Sequence, residues 1–367
     1  VLTIPALLIA ITAPGAGYVV DKFGRKNILI ASVILSGLAG LSGFFASSLP
    51  IILIGRGFLG IGVAGLMIST TTLITDYYSG TSRATFLGFQ AGFMGITGTI
   101  LLIGVGFLAD GSWNSPFLIY LLPFPILLFV IFVLFEPQLE ARCAETPSVV
   151  GEPGSCVGES LISEGHVPAF AADAEPLPIK LLVFIYGTIL LVEIIFYVVP
   201  IQLPFYFQNL SGGSASQSGV AISTMSFVFA LSSIFYGKIA VRLDRITVLV
   251  IAMTLIGLGY ALMAMASGLV LLYAGLISAG VGIGLMIPNL YVWLASEAPQ
   301  STRGRVLGGF TTALFLGQFL SPILSQPLTI AYDVRAVFIL AGAISFVVVP
   351  FVILGRHRLR TLAVRPA

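Results

Sequence analysis

Two side chains whose chemistry depends on charge stand inside long apolar runs. Glu193 follows Lys180 by thirteen residues, which on a helix rising about 1.5 Å per residue places it roughly 20 Å from that lysine. A carboxyl at such a depth is costly when ionised and can carry a proton on and off as its surroundings change. The plainer alternative is a locally hydrogen-bonded Glu that fixes packing. Arg56 is likewise enclosed by apolar sequence. A cation there can hold an anionic group, control the protonation of a nearby acid, or form a buried ion pair. Glu193 and Arg56 are the candidates for proton coupling. The other polar side chains in the apolar runs are few: Gln90, Gln202, Asn289, Gln318 and Gln326, with Tyr186, Tyr197, Tyr206 and Tyr291. They suit a cavity that is mostly apolar and aromatic with a few hydrogen-bonding groups. Gln90, Gln202, Asn289, Gln318 and Tyr197 are its candidate lining, although helix packing explains any one of them equally well. Cys143 and Cys156 match no metal spacing and are read as free thiols. With no metal cluster, phosphate-binding loop or nucleophile elbow in the sequence, neither enzymatic activity nor a cofactor is expected.

The elements that must position these groups follow from composition. Hydrophobic residues make up 57% of the 367 and charged residues 9%, with a mean hydropathy of +1.08, against roughly a quarter charged in an ordinary soluble domain. Most of the surface must face lipid, and a net charge of +2 is too small to suggest a nucleic-acid partner. Apolar segments of about 20 residues, the length that crosses roughly 30 Å of hydrocarbon, lie near 1–20, 27–47, 50–74, 84–108, 116–135, 181–206, 219–240, 246–266, 269–294, 305–328 and 335–354. Runs such as 28–35 and 249–256 lack the alternation of a barrel strand, so the expectation is eleven helices.

Of the 17 Lys and Arg, all but two fall on one side if the loops alternate. Arg335 falls on the other, and Arg56 is within a span. The cationic side is therefore expected to be cytoplasmic, with the C-terminus on it. Val1 then starts outside the cell, and a helix ahead of it is expected. Residues 137–178 are rich in Gly, Pro, Ser and Glu and cannot bury enough apolar surface to fold alone. They predict a flexible cytoplasmic linker at 137–179 in which His166 is solvated. The linker separates an N-terminal bundle, 1–136, from a C-terminal one, 180–355, followed by a basic cytoplasmic tail at 356–367.

The two bundles align at a constant shift of 220 residues. Gly17, Lys22 and Arg25 match Gly237, Arg242 and Arg245. Gly60-Ile61-Gly62-Val63-Ala64 matches Gly280-Val281-Gly282-Ile283-Gly284, and Arg83 with Leu87-Gly88 matches Arg303 with Leu307-Gly308. Two homologous bundles on a loose linker form the arrangement in which one half rocks on the other. Leu276 is the repeat counterpart of Arg56, so the symmetric fold does not require that charge.

Gly17-Tyr18-Val19-Val20-Asp21-Lys22-Phe23-Gly24-Arg25-Lys26 resembles the G-x-L-x-D-R-x-G-R-R signature of the major facilitator superfamily, and residues 237–245 resemble its degenerate second copy. Arg56-x-x-x-Gly60-x-Gly62-x-Ala64 is similar to the fourth-helix motif of proton-linked members. The resemblance implies an all-α membrane protein of two six-helix bundles, with eleven of twelve spans present and the first helix lacking. It implies a conformational latch at the cytoplasmic turn, built from Gly17, Asp21, Lys22, Gly24, Arg25 and Lys26 with Asp76 as partner. Gly17 would let a neighbouring helix approach closely. Pro200-Ile201-Gln202-Leu203-Pro204-Phe205-Tyr206 and Gly317-Gln318-Phe319-Leu320-Ser321-Pro322 are similar to the drug/proton antiporter branch. The stretch 88–106 is glycine-rich but lacks the proline of the antiporter motif, and its Gly88, Gly92, Gly95 and Gly98 read as a helix-packing face.

The resemblance implies a monomeric secondary transporter in the plasma membrane that exports small amphipathic compounds and draws on a proton gradient, its partners being the bilayer, the substrate and protons. Uptake or exchange of a metabolite is the second expectation, and a membrane sensor without transport the third.

Overall fold

The structure, a computed structural model, describes residues 3–46, 48–78, 80–136, 179–212, 214–298 and 303–356. The linker at 137–178, with Cys143, Cys156 and His166, and the tail at 357–367 lie outside the described residues. So do the side chains of Asp21, Arg83, Arg303 and Arg305.

The described chain is all helix: α1 (Ile4–Phe23), α2 (Arg25–Phe45), α3 (Leu49–Tyr77), α4 (Gly80–Gly111), α5 (Pro123–Val133), α6 (Ile179–Ser211), α7 (Ala215–Ala240), α8 (Arg245–Ala264), α9 (Leu269–Glu297), α10 (Arg303–Ala331) and α11 (Val334–Leu354). Ten membrane-length apolar segments stand beside the shorter apolar stretch Ile4–Val20. The span expected at 116–135 is divided. Ser115–Leu121 is a 3-10 helix, and α5 begins after it at Pro123. Pro116, Pro123 and Pro125 explain the division, since each lacks the N–H that a continuous helix would use and is tolerated only in a first turn.

Within each half, helices meet where side chains vanish. On α2, Gly37, Gly40 and Gly43 form one stripe, and Phe124, Tyr120 and Phe117 lie against it so closely that a Cβ at Gly43 would come within 2.0 Å of the Phe117 ring. On the other side of the repeat, Gly259 of α8 and Gly275 of α9 bring backbones together, with a Cβ at either only 2.6 Å from the facing carbonyl or amide. Close backbone approach is how helices gain packing where lipid supplies no hydrophobic drive. The C-terminal half encloses a large apolar core that includes Ile185, Ile189, Leu249, Met253, Ile256, Leu276, Leu290 and Phe338, all fully buried. The N-terminal half has a small one, Leu29, Val33 and Leu73.

The halves touch along α4 with α7 and along α1 with α10. On the α4/α7 seam a Cβ at Gly106 would stand 3.3 Å from Gly219 Cα, and one at Gly95 2.8 Å from Ala230 Cβ. The Ser223 hydroxyl donates to the Thr99 carbonyl (3.3 Å), and the Ser216 amide donates to the Asp110 carboxylate (3.3 Å). Asp110 and Ser216 mark the end of the bundle opposite the one that carries Arg25, Asp76 and Arg245. Toward that cationic end, Gly15 and Gly17 of α1 and Gly308 of α10 have open space where a Cβ would be.

Candidate functional site

Glu193 sits on α6, 1% exposed. Gln318 of α10 donates to its Oε2 at 3.1 Å. The approach of α6 and α10 that permits this depends on Gly317, where a Cβ would come 2.6 Å from the Leu190 carbonyl and 2.7 Å from Glu193 Cβ. One turn further along α10 the Ser321 hydroxyl donates to the Ile194 carbonyl (2.7 Å), and beyond it Gln202 donates through Nε2 to Ser325 (3.3 Å). Tyr197 stands one turn after Glu193 on α6 and rests edge-on against Phe196. Four of the residues singled out by sequence, Glu193, Gln202, Gln318 and Tyr197, thus lie along one pair of helices. A buried carboxyl held by a neutral amide, with no ion pair among the described residues, is an arrangement that accommodates the acid with its proton on and leaves the ionised form without a countercharge.

The structure does not bring the other candidates there. Arg56 donates through Nη1 to the Tyr120 hydroxyl (2.8 Å), and its guanidinium lies 4.9 Å from the Phe117 ring centre and 5.5 Å from that of Tyr120. Its partners are neutral aromatic groups of its own half, in the geometry of cation–π contact, and Glu193 is not among them. Asn289, fully buried, accepts from the Tyr236 hydroxyl (3.1 Å) and donates to the Arg245 carbonyl (2.9 Å), which ties α7, α8 and α9 together rather than lining a cavity. Gln90 lies on the first half of α4, apart from the α6/α10 seam.

At the cationic end each half carries a clasp. Arg25 Nε meets Asp76 Oδ2 at 3.1 Å, with the arginine side chain 9% exposed. Gly24 turns between α1 and α2 with φ +91°, a conformation that favours glycine. Glu136, just past α5, accepts from the backbone amides of Arg25 (2.6 Å) and Lys26 (2.8 Å), so an acid satisfies the open N–H groups at the start of α2 and complements its dipole. Lys26 Nζ donates back to the Ile131 carbonyl (2.9 Å). Lys22 is exposed, its ammonium 5.6 Å from the Phe23 ring centre. No atom approaches within 4 Å of where a Gly17 Cβ would stand, so the close helix contact expected at that glycine is missing.

In the C-terminal half Arg245 takes the place of Arg25 and reaches Ser296 (2.8 Å) and Glu297 (3.6 Å). The loop position of Gly24 is Asp244, which pairs with Arg356 at 2.9 Å. Arg356 stands 220 residues after Glu136, so equivalent positions close both clasps, in one half by capping the start of α2 and in the other by pairing with the Asp244 side chain. Sequence reasoning missed Glu136, Arg356 and Tyr120. The repeat shift, carried past Arg83 to the end of the half, is the signal that finds the first two.

The family model described as Major Facilitator Superfamily matches residues 1–211 and 185–367. The chain is 32% identical over 124 residues to the bacillibactin exporter of Bacillus subtilis, covering 32% of this chain and 31% of the exporter. It is 32% identical over 145 residues to the class H tetracycline resistance protein of Pasteurella multocida, 38% of this chain and 35% of that one. Over 65 residues it is 35% identical to a 4-hydroxybenzoate transporter of Pseudomonas aeruginosa, 18% and 14% respectively. The matched stretches span about a third or less of each relative's length. Among solved structures, a bacterial homolog to the human lysosomal transporter Spinster, inward-facing and unoccupied, superposes with a TM-score of 0.72 at 17% identity, covering 99% of this chain and 89% of that one. The human organic anion transporter MFSD10 does so with 0.63 at 19% identity, 95% and 81%. At these identities the likeness carries the fold. With the family model covering both repeats and eleven apolar helical segments arranged about a two-half seam, the chain belongs to the Major Facilitator Superfamily.

Proposed function

We propose that this protein is a secondary active transporter that exports small amphipathic compounds by alternating access, with Glu193 taking up and releasing the coupling proton. The observation that carries the reading is the Glu193 carboxyl buried between α6 and α10 against the neutral Gln318 amide. The proton leaves it only when that seam meets water, which a rocking half provides. Arg56, held by Tyr120 and Phe117, positions the end of its own half and is not a proton partner. The exporters among the relatives support the outward direction. In this reading the cationic end is cytoplasmic, the clasps keep each half rigid as it moves, and the protein works as a monomer in the plasma membrane.

The proposal extends to a further helix beside α4. On α10 the line Leu314, Gln318, Ser321 and Ser325 carries α6. Its repeat counterpart on α4 is Met94, Gly98, Leu101 and Val105, where Met94 is 55% exposed and Gly98 has no neighbour. A helix equivalent to α6, expected ahead of Val1, would cover it. A second reading, uptake of a metabolite, draws on the 4-hydroxybenzoate transporter among the relatives.

The test is accumulation of a lipophilic cationic dye in proteoliposomes under an imposed pH gradient, using the full-length protein and Glu193→Gln. Loss of only the gradient-driven component in the variant supports the proposal. Dye transport that follows the gradient equally in both removes Glu193 as the coupling site, and exchange of a polar metabolite without dye movement replaces export with uptake.

A further inference from the structure

A groove of about 500 Å³ runs between α6, α8 and α11. Helices α8 and α11 pack on each other and on the rest of the C-terminal half, and neither makes a substantial contact with α1–α5. The groove therefore opens to the surface that faces lipid, away from the seam between the halves. Val183 and Phe351 on its rim are exposed, and Leu191 and Met253 line it further in. The one polar side chain in its wall, Thr188, has its hydroxyl turned to the Phe184 carbonyl of its own helix (2.7 Å), so the wall offers no hydrogen-bonding group. Gly187 also lines it, and a Cβ there would meet nothing within 4 Å.

Charge is confined to one end. Lys180 lies three, four and seven residues before Val183, Phe184 and Gly187, on the same stripe of α6, and it is exposed, with no ion pair among the described residues. Arg356 follows Gly355, which lines the groove at the end of α11. Its Nη2 is committed to Asp244 (2.9 Å) and Thr247 (3.2 Å), while its Nε is buried without a hydrogen-bond partner. An apolar slot that opens to lipid and ends beside a lysine and an arginine matches a molecule with a hydrocarbon tail and an anionic head.

We propose that this groove is a binding site for one acyl chain of an anionic phospholipid, drawn from the leaflet at the cationic end, whose phosphate rests on the exposed Lys180 beside the Arg356 guanidinium. The site depends on the membrane fold and not on which compound is transported or in which direction.

Native mass spectrometry of the detergent-purified full chain tests it, with added phosphatidylglycerol, phosphatidylcholine of the same acyl length, and soluble glycerophosphoglycerol as probes. Phosphatidylglycerol should be retained in preference to phosphatidylcholine, and the soluble headgroup should not be retained. Lys180→Gln should weaken phosphatidylglycerol about fivefold, the effect of one basic residue at an anionic membrane surface. Gly187→Leu adds a side chain where no protein atom stands, so it preserves the fold and should abolish retention by filling the slot. Equal retention of the two phospholipids, retention unaffected by Gly187→Leu, or binding of the soluble headgroup as strong as that of the lipid would each overturn the proposal.

Discussion

Helices α4 and α10 occupy equivalent places in the two halves, yet the face that is clad on α10 is bare on α4. Gly317 of α10 is pressed against α6 at 2.6 Å from a backbone carbonyl, and the neighbouring Gln318 holds a buried carboxyl. At the matching positions of α4, Thr97 and Gly98 follow an exposed Met94 and precede an exposed Ile100. The difference extends to the cores, since the fully buried Ile185, Ile189 and Leu203 of α6 have no described counterpart in the N-terminal half. The buried carboxyl belongs to a helix pair, α6 with α10, and the matching face of α4 has no such partner among the described residues.

Adding the same side chain to both seams should produce the largest difference between them. Gly317→Val should overpack α6 against α10 and lower stability by about 1–3 kcal/mol, whereas Gly98→Val should be neutral to within about 0.5 kcal/mol. Thermal unfolding in detergent reads both. Equal costs would mean that the two helices are equally enclosed.

The clasps give a smaller contrast. Glu136→Ala removes the acceptor of two backbone amides at the start of α2 and should cost about 0.5–2 kcal/mol, the range of a lost helix cap. The exposed pair Asp244 and Arg356 should show a coupling of about 0.2–1 kcal/mol in a double-mutant cycle. The Asp244–Arg356 coupling should fade at high salt, whereas Glu136 should keep the part of its effect that comes from its two amide hydrogen bonds and lose the part that comes from the helix dipole. A reversed salt dependence would contradict the assignment of one clasp as a cap and the other as a salt bridge.

Hydropathy and the repeat made most of this architecture legible. Length and apolarity placed the helical segments, and the shift of 220 residues paired the halves before any coordinates. Glu193 was legible because a carboxylate in an apolar run is conspicuous. Its partner was not, since Gln318 is 125 residues away and one glutamine in a span resembles any other. Arg56 looked equally functional in sequence, but the groups that accommodate it, Tyr120 and Phe117, are 64 and 61 residues distant. Nothing in a hydropathy profile distinguishes an aromatic that faces lipid from one that covers a cation. Glu136 was overlooked because it borders the acidic linker, where one more acid carries no signal until the position of Arg356 is set against it.

The seam between α4 and α7 has a mechanical meaning of its own. Where Gly106 meets Gly219 and Gly95 meets Ala230, the two halves touch almost backbone to backbone. Interlocked side chains resist turning as meshed teeth do, since each must leave its socket before the next can enter. Where the seam narrows to glycine there are few teeth. Under the proposed alternating access, such a seam would let one body roll on the other through small angles without a rotamer changing, and a single methyl group at Gly106 or Gly219 would act as grit in the bearing.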